Sequence, residues 1–249
     1  MTMLLPSINK PLNGVIWRME IDSLSDTIYL ETRTPEKQVS FTSIDLATGK
    51  TNFENYTTPE RWLTGIEAAY DGVLLLHGYQ SENSPVHKGL TAIDKNAQTV
   101  WSNYAYAFDH LTVNGAVVFN TQFQPKKLFL IDIKTGATLR PYNPCIDLEV
   151  NTSIQFPTAA LPSDLDFEVH GNIVQSLYYN KLRIVSLHTL SKGQLEQRLL
   201  ITDAAALVFE DLLNTDIQKM QPESFILYKS LVIYIKDKAI LKVIPLINY

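Results

Sequence analysis

The sequence of 249 residues has one cysteine, no cluster of basic residues and no long apolar run. Cys145 has no intrachain partner, so we expect no disulfide framework. The net charge of −5 argues against nucleic acid and anionic membranes as partners. No apolar stretch approaches the roughly 18 residues of a membrane-spanning helix. The opening MTMLLPSINK lacks the basic region and cleavage site of a signal peptide, so we predict a cytoplasmic location.

Signatures of common catalytic and cofactor sites are also missing. The sequence contains no G-x-S-x-G, no H-E-x-x-H, no paired-cysteine spacing and no glycine-rich phosphate loop. We therefore predict neither a metal nor a cofactor. The histidines are scattered, and we expect them to be structural or solvent-facing: His77, His87, His110, His170 and His188.

One phrase recurs along the chain. It reads VSFTSIDLATGKTNF at Val39–Phe53, GLTAIDKNAQTVW at Gly89–Trp101 and KLFLIDIKTGATL at Lys127–Leu139, with a weaker copy at Lys181–Leu195. Each copy predicts a strand, a turn and a second strand. An aspartate at the strand exit can accept bonds from the backbone amides of the turn, and a glycine four residues later in two copies permits positive φ.

A second type of turn alternates with this phrase. Asp71-Gly72, Asn114-Gly115 and Gly171-Asn172 are tight hairpin pairs between apolar strands. Together the two turns define units of four antiparallel strands, the plan of a propeller blade. We therefore predict an all-β protein that forms a single small β-propeller of about five four-stranded antiparallel blades, with six as the alternative.

The predicted blades cover the whole chain as one domain, residues 1–249. Their ranges are roughly 14–58, 59–103, 104–143, 164–202 and 222–249. The last range holds three strands, so the N-terminus, through LLPSINK or NGVIWRM, is expected to add the fourth and close the ring. Residues 141–163 carry four prolines and predict a long loop, and the apolar spacing in residues 203–221 predicts a short amphipathic helix.

The phrases SIDLATGK, TAIDKNAQTVW and LIDIKTGATL resemble the repeat of quinoprotein-like (PQQ-type) β-propellers. The resemblance covers three blades and implies blade architecture in a small bacterial member. It does not extend to the quinone site, because the quinone-dependent enzymes are larger, exported and calcium-binding, and many have adjacent cysteines. In this repeat Trp17 and Trp101 are expected to be core residues.

The candidate site follows from propeller geometry, in which the first strand of each blade lines the central channel. The residues on these strands and the loops entering them are Arg61, Trp62, Glu67, Tyr104, Tyr106, Asp109, His110, Asp166 and Glu168, with Arg18 and Glu20 as counterparts in the first blade. Converging carboxylates can act as general acids, bind a hard cation or hold sugar hydroxyls. They can equally form a polar channel lining paired to Arg18 or Arg61. The aromatic residues form either a stacking platform or inter-blade packing.

Two functions fit this pattern. The first is a non-catalytic binding or scaffold propeller whose rim holds a protein partner or a small polar ligand. The alternative is an enzyme, a hydrolase or lyase, that acts on a small polar substrate such as a glycan or lactone through channel carboxylates. Because no catalytic motif occurs, we favour the binding function.

Overall fold

A computed structural model describes residues 3–165, 167–204, 206–222 and 224–246. This part of the chain forms 22 strands and one 3-10 turn at Pro162–Asp164. No helix within it has the length and apolar character needed to cross a membrane. In chain order the strands are β1 (Ile8–Pro11), β2 (Val15–Asp22), β3 (Thr27–Thr34), β4 (Gln38–Asp45), β5 (Thr51–Tyr56), β6 (Thr64–Tyr70), β7 (Val73–Ser81), β8 (Ser84–Asp94), β9 (Thr99–Asn103), β10 (Tyr106–Thr112), β11 (Gly115–Asn120), β12 (Leu128–Ile131), β13 (Thr138–Pro141), β14 (Ile154–Gln155), β15 (Thr158–Ala159), β16 (Gln175–Tyr179), β17 (Leu182–Ser191), β18 (Gln194–Asp203), β19 (Ala206–Asn214), β20 (Phe225–Tyr228), β21 (Leu231–Lys236) and β22 (Ile240–Pro245).

The chain divides into two compact units, and Asn13–Thr152 forms the one that carries the candidate site. It holds three antiparallel sheets of four strands each, β2 to β5, β6 to β9 and β10 to β13. Apolar side chains join neighbouring sheets: Phe41 of the first packs in one buried cluster with Leu76 of the second. Leu90 of the second packs in another with Val118 of the third. These apolar contacts fix the position of β6 between its neighbours.

The other unit combines Met1–Leu12 with Ser153–Tyr249 and holds two sheets of five strands. One has the order β15-β16-β17-β18-β19 and the other the order β1-β22-β21-β20-β14. Strand β1 pairs with β22, Ile8 lying opposite Val243. The N-terminal segment therefore adds an outer strand to the last sheet.

The predicted fold class is confirmed. The described residues are all-β, with five antiparallel sheets of four or five strands that follow the blade plan of a small β-propeller.

The recurring aspartate turns form as predicted. Asp45 accepts hydrogen bonds from the amide (2.7 Å) and hydroxyl (2.8 Å) of Thr48. Asp132 accepts the equivalent pair from Thr135 at 2.8 and 2.9 Å. Gly49 and Gly136 follow with φ of 72° and 71°, the left-handed region that glycine enters without strain.

Two predictions of local structure are wrong. Residues 206–214 form strand β19 and not a helix, because β19 pairs with β18 along its length and buries Val208 and Phe209. The Gly171-Asn172 hairpin is also absent from the described residues, since Phe167 and Val169 lie outside any strand. They pack instead against a cluster that includes Val174. Tertiary contacts override local pattern in both places. The predicted loop at 141–163 holds the two-residue strands β14 and β15.

Candidate functional site

Glu67, His77 and His87, here called the Glu67 cluster, meet on three consecutive strands of the second sheet. Glu67 lies on β6, His77 on β7 and His87 on β8. Glu67 Oε2 lies 2.8 Å from His87 Nδ1 and 3.0 Å from His77 Nδ1. A carboxylate only accepts hydrogen bonds, so His87 Nδ1–H donates to Glu67.

The side chain of Glu67 reaches its neighbours because β6 has a bulge there. Ile66 pairs with Leu76 and Ala68 with Leu75, which leaves Glu67 unpaired between them. The first sheet has the same irregularity at Trp17 and the third has it at Asp109. A bulge turns one side chain out of the regular alternation. Glu67, Trp17 and Asp109 therefore occupy equivalent bulge positions, each on the first strand of its sheet.

His77 is the most unusual member of the Glu67 cluster. Its side chain is 1% exposed, and neither ring nitrogen makes a hydrogen bond. The 3.0 Å contact of Nδ1 with Glu67 is close but lacks hydrogen-bond geometry. A buried polar atom without a partner costs about 1–3 kcal/mol. The imidazole is therefore available to a further polar group or ion.

Gly65 provides the space for the His77 ring. A Cβ atom at this position would lie 3.1 Å from His77 Cε1 and Nε2 and 3.0 Å from Glu31 Oε2. Glu31 Oε2 accepts a 2.8 Å hydrogen bond from the Ile66 amide, which ties the first sheet to β6. Only glycine leaves both the ring and this bond undisturbed.

Two arginines border the Glu67 cluster and each is paired. Arg33 donates to Glu31 Oε1 at 2.7 Å and to the Thr64 carbonyl at 3.0 Å. Arg18 donates to Glu20 at 2.8 Å and to the Glu67 carbonyl at 3.0 Å. Burial raises the pKa of Glu20, although Arg18 opposes the rise.

The charge of Glu67 is set by two opposing effects. Burial raises the pKa of its carboxyl, but the close contacts with His77 and His87 outweigh burial, and the pKa lies below its usual value. Glu67 is thus an anion at neutral pH. One anionic oxygen and two imidazole nitrogens lie within 4.8 Å of one another, a donor set that can hold a metal ion or a polar ligand.

Aromatic rings flank the cluster on one side. Tyr79 packs edge-on against His77 and His87, with centroid distances of 4.7 and 5.3 Å. The Arg33 guanidinium lies 4.7 Å from the centre of the half-buried Trp62 ring and 6.0 Å from that of Tyr79. The predicted residue Trp62 is therefore linked to the cluster through Arg33 and Tyr79.

Trp17 is not a core residue, contrary to the prediction, and is 66% exposed. The bulge turns its ring outward, and Arg33 lies 5.4 Å from its centre. Trp101 is partly buried against the core of the second and third sheets, and its ring nitrogen donates to the Ile133 carbonyl at 2.8 Å.

Asp109 and His110 form a second polar group. Asp109 accepts hydrogen bonds from His110 Nδ1 at 2.8 Å and from Lys126 at 2.6 Å. Burial raises the pKa of Asp109, but these two partners outweigh it and the pKa lies below its usual value. Within the described residues no hydrogen bond or ion pair joins Asp109 to Glu67.

The other predicted site residues lie apart from the Glu67 cluster or are exposed. Arg61 is exposed, and Tyr104 is 77% exposed in the turn before β10. Tyr106 packs edge-on against Phe129 with a centroid distance of 5.2 Å. Glu168 belongs to the other unit, where it is exposed and lies outside any strand. Asp166 lies outside the described residues.

The sequence analysis missed His77 and His87 as site residues. They lie on the two strands of one hairpin, where Tyr79 pairs with His87 and Ser81 with Ser84. Histidines at nearly equal distances from a turn at residues 82–83 are the signal that could have identified the pair. The sequence predicted no metal site, because this donor set follows no linear motif.

Comparisons with known proteins give one family match. A model described as "Domain of unknown function (DUF4905)" matches residues 21–101, a stretch that contains the whole Glu67 cluster. No curated protein matches the sequence significantly.

Among solved structures, the uncharacterized protein lmo1340 from Listeria monocytogenes is 12% identical with a TM-score of 0.36, over 92% of this chain and 81% of that one. Raptor from Chaetomium thermophilum is 9% identical with a TM-score of 0.40, over 100% of this chain and 29% of that one. A GH43 endo-arabinanase from Bacillus licheniformis is 14% identical with a TM-score of 0.29, over 94% of each chain. The resemblance to quinoprotein-like repeats stays a prediction.

Proposed function

We propose that this protein is a non-catalytic binding protein that holds a small polar ligand at the Glu67 cluster. The observation that carries the proposal is the unsatisfied imidazole of His77, buried beside an anionic carboxylate. Buried polar atoms in folded proteins normally have partners, and a bound ligand would supply one. His87, 36% exposed, provides the route from solvent.

The surroundings favour a small ligand over a protein partner. The donor atoms of His77 and Glu67 belong to side chains that are 1% and 10% exposed, too deep for a flat protein surface to reach. Tyr79, which packs edge-on against both imidazoles, offers ring surface to the apolar part of such a ligand. The proposal retains the cytoplasmic location, because the exposed Cys145 is a free thiol.

A thermal-shift panel of divalent metals, sugars, sugar acids and nucleotides tests the proposal. A ligand at a hundredfold excess over its dissociation constant stabilises the folded state by about 2.7 kcal/mol. We expect at least one compound to raise the melting temperature of the wild type and of the control His110→Ala, and to lose its effect in His87→Ala. No shift with any compound, or a shift unchanged in His87→Ala, would refute the proposal.

The enzyme alternative, a hydrolase or lyase for a glycan or lactone, draws on the oriented Asp109–His110 pair. Lys126 also donates to Asp109 at 2.6 Å, so the carboxylate of this pair is already engaged. The carboxyls of Glu67 and Asp109 both have lowered pKa values, so neither holds a proton for general acid catalysis near neutral pH. These observations support binding over catalysis.

A further inference from the structure

We infer that Glu67, His77 and His87 coordinate one divalent transition-metal ion of the Zn²⁺ type, an inference that rests on the proposed binding function. The cluster offers one carboxylate oxygen and two imidazole nitrogens. Imidazole nitrogen suits zinc and its neighbours in the first transition row, whereas Ca²⁺ and Mg²⁺ take oxygen ligands. The donor set therefore selects the class of ion.

The spacing of the donors fits such an ion after a small expansion. With ligand bonds of about 2.0–2.1 Å, donor atoms around a tetrahedral zinc ion lie roughly 3.3 Å apart. Glu67 Oε2 lies 2.8 Å from His87 Nδ1 and 3.0 Å from His77 Nδ1. These two distances need to increase by only a few tenths of an ångström to admit the ion, and the ring of His87 must also turn.

The orientation of the rings identifies which ligand must move. The imidazoles of His77 and His87 are stacked, with centroids 3.6 Å apart and planes 7° apart. A nitrogen lone pair lies in its ring plane, so two parallel rings cannot both point at an ion between them. His77 is fixed by burial, whereas His87 is 36% exposed and can rotate. Coordination therefore requires His87 to turn and the stack to open.

Charge is also compatible with a divalent cation. Glu67 supplies one negative charge at the site. The nearby carboxylate of Glu31 is already neutralised by Arg33 at 2.7 Å, so it does not compete for the ion. Three protein ligands leave a fourth position, on the exposed side of His87, for water or an anionic ligand.

Equilibrium dialysis of the full chain against ZnCl₂, with the bound metal quantified, tests the inference. We expect one zinc per chain in the wild type and in His110→Ala. In Glu67→Gln and His87→Ala the affinity should fall by more than roughly 100-fold, since even outer-shell partners are worth about 10- to 100-fold. His87→Ala changes a partly exposed side chain, so the folded state should survive, and far-ultraviolet circular dichroism checks it.

The outcomes separate this inference from the proposed function. Absence of zinc uptake by the wild type, or full affinity in His87→Ala, overturns the metal site. If the protein binds no zinc while an organic compound still gives a His87-dependent thermal shift, the inferred metal site is wrong and the proposed binding function stands. If neither binds, both are wrong.

Discussion

The imidazole of His77 lies flat against that of His87, with ring centroids 3.6 Å apart. Both rings present Nδ1 to the same oxygen of Glu67, yet only His87 makes the hydrogen bond. One carboxylate oxygen is therefore shared unequally between a buried and a solvent-accessible histidine. This inequality is the basis of the proposed binding site.

Gly65→Ala should disturb the Glu67 cluster directly. The new Cβ would lie 3.1 Å from the His77 ring and 3.0 Å from Glu31, so we expect a loss of about 1–3 kcal/mol in unfolding free energy. Urea unfolding measures the effect. In a His77→Ala background the ring is gone, and the cost of Gly65→Ala should shrink. An equal cost in both backgrounds would show that the ring does not set the need for glycine.

Gly136→Ala tests the packing of the recurring turn on the tryptophan of the preceding repeat. A Cβ at Gly136 would lie 2.6 Å from the Trp101 ring. Gly72 is a matched control, because its φ of 79° is also positive but no atom lies within 4 Å of the Cβ position. Gly72→Ala should cost about 1 kcal/mol from backbone strain, and Gly136→Ala about 1–3 kcal/mol more from the clash. Tryptophan fluorescence during urea unfolding would report both, and equal losses would contradict the packing argument.

Asp147 should make stability depend on pH in acid. Its buried carboxylate accepts hydrogen bonds from both terminal nitrogens of Arg140. It also accepts one from the backbone amide of Asn143 and one from the side-chain amide of Asn114, both at 2.9 Å. The hydrogen bonds that Arg140 donates hold the pKa of the Asp147 carboxyl well below its usual value, against the opposing effect of burial. The pKa of Asp147 is lower in the folded than in the unfolded chain. The ionised carboxylate therefore contributes fully to the free energy of unfolding above a pH of about 4, and this contribution is lost as the pH falls toward the folded-state pKa.

The corresponding experiment is urea unfolding of the wild type and Asp147→Asn at pH 7 and pH 3. We expect Asp147→Asn to have the lower unfolding midpoint at pH 7 and the difference to narrow at pH 3. A difference that is independent of pH would mean that the charge of Asp147 does not contribute to stability.

Much of the fold could be predicted from the sequence, because its turns are chemically explicit. Asp45 and Asp132 bind backbone amides at fixed offsets, and the strands between such turns follow. The helix predicted at 203–221 was wrong because Val208 and Leu212 are four residues apart, a spacing that fits both the helical and the strand period, and pairing with β18 decides between them.

The candidate site could be predicted only in part. Glu67 was identified from its place on the first strand of a repeat, whereas His77 and His87 were not. Their approach depends on bulges between His77 and Gly78 and between Tyr79 and Ser81. Bulges shift the register by one residue and leave no reliable mark in an alternating pattern.

Asp211 should be important for the stability of the other unit. It accepts hydrogen bonds of 2.7 Å from Tyr234, Lys236 and Lys242, and so joins β19 to the last sheet. Asp211→Ala would leave two poorly exposed ammonium groups without their counter-charge, and we expect a loss of about 3–5 kcal/mol. Lys181→Ala, which removes an exposed ammonium group paired with Asp203, should cost less than about 1 kcal/mol. Thermal unfolding of the two variants measures the contrast, and similar losses would contradict it.

The most direct test of the central claim is to follow the ring nitrogens of the histidines by ¹⁵N nuclear magnetic resonance during a Zn²⁺ titration. The proposed site predicts that the Nδ1 signals of His77 and His87 shift together and saturate at one equivalent, while those of His110 stay in place. If the signals of His77 and His87 do not move, or if all five histidines respond alike, the Glu67 cluster is not a metal site.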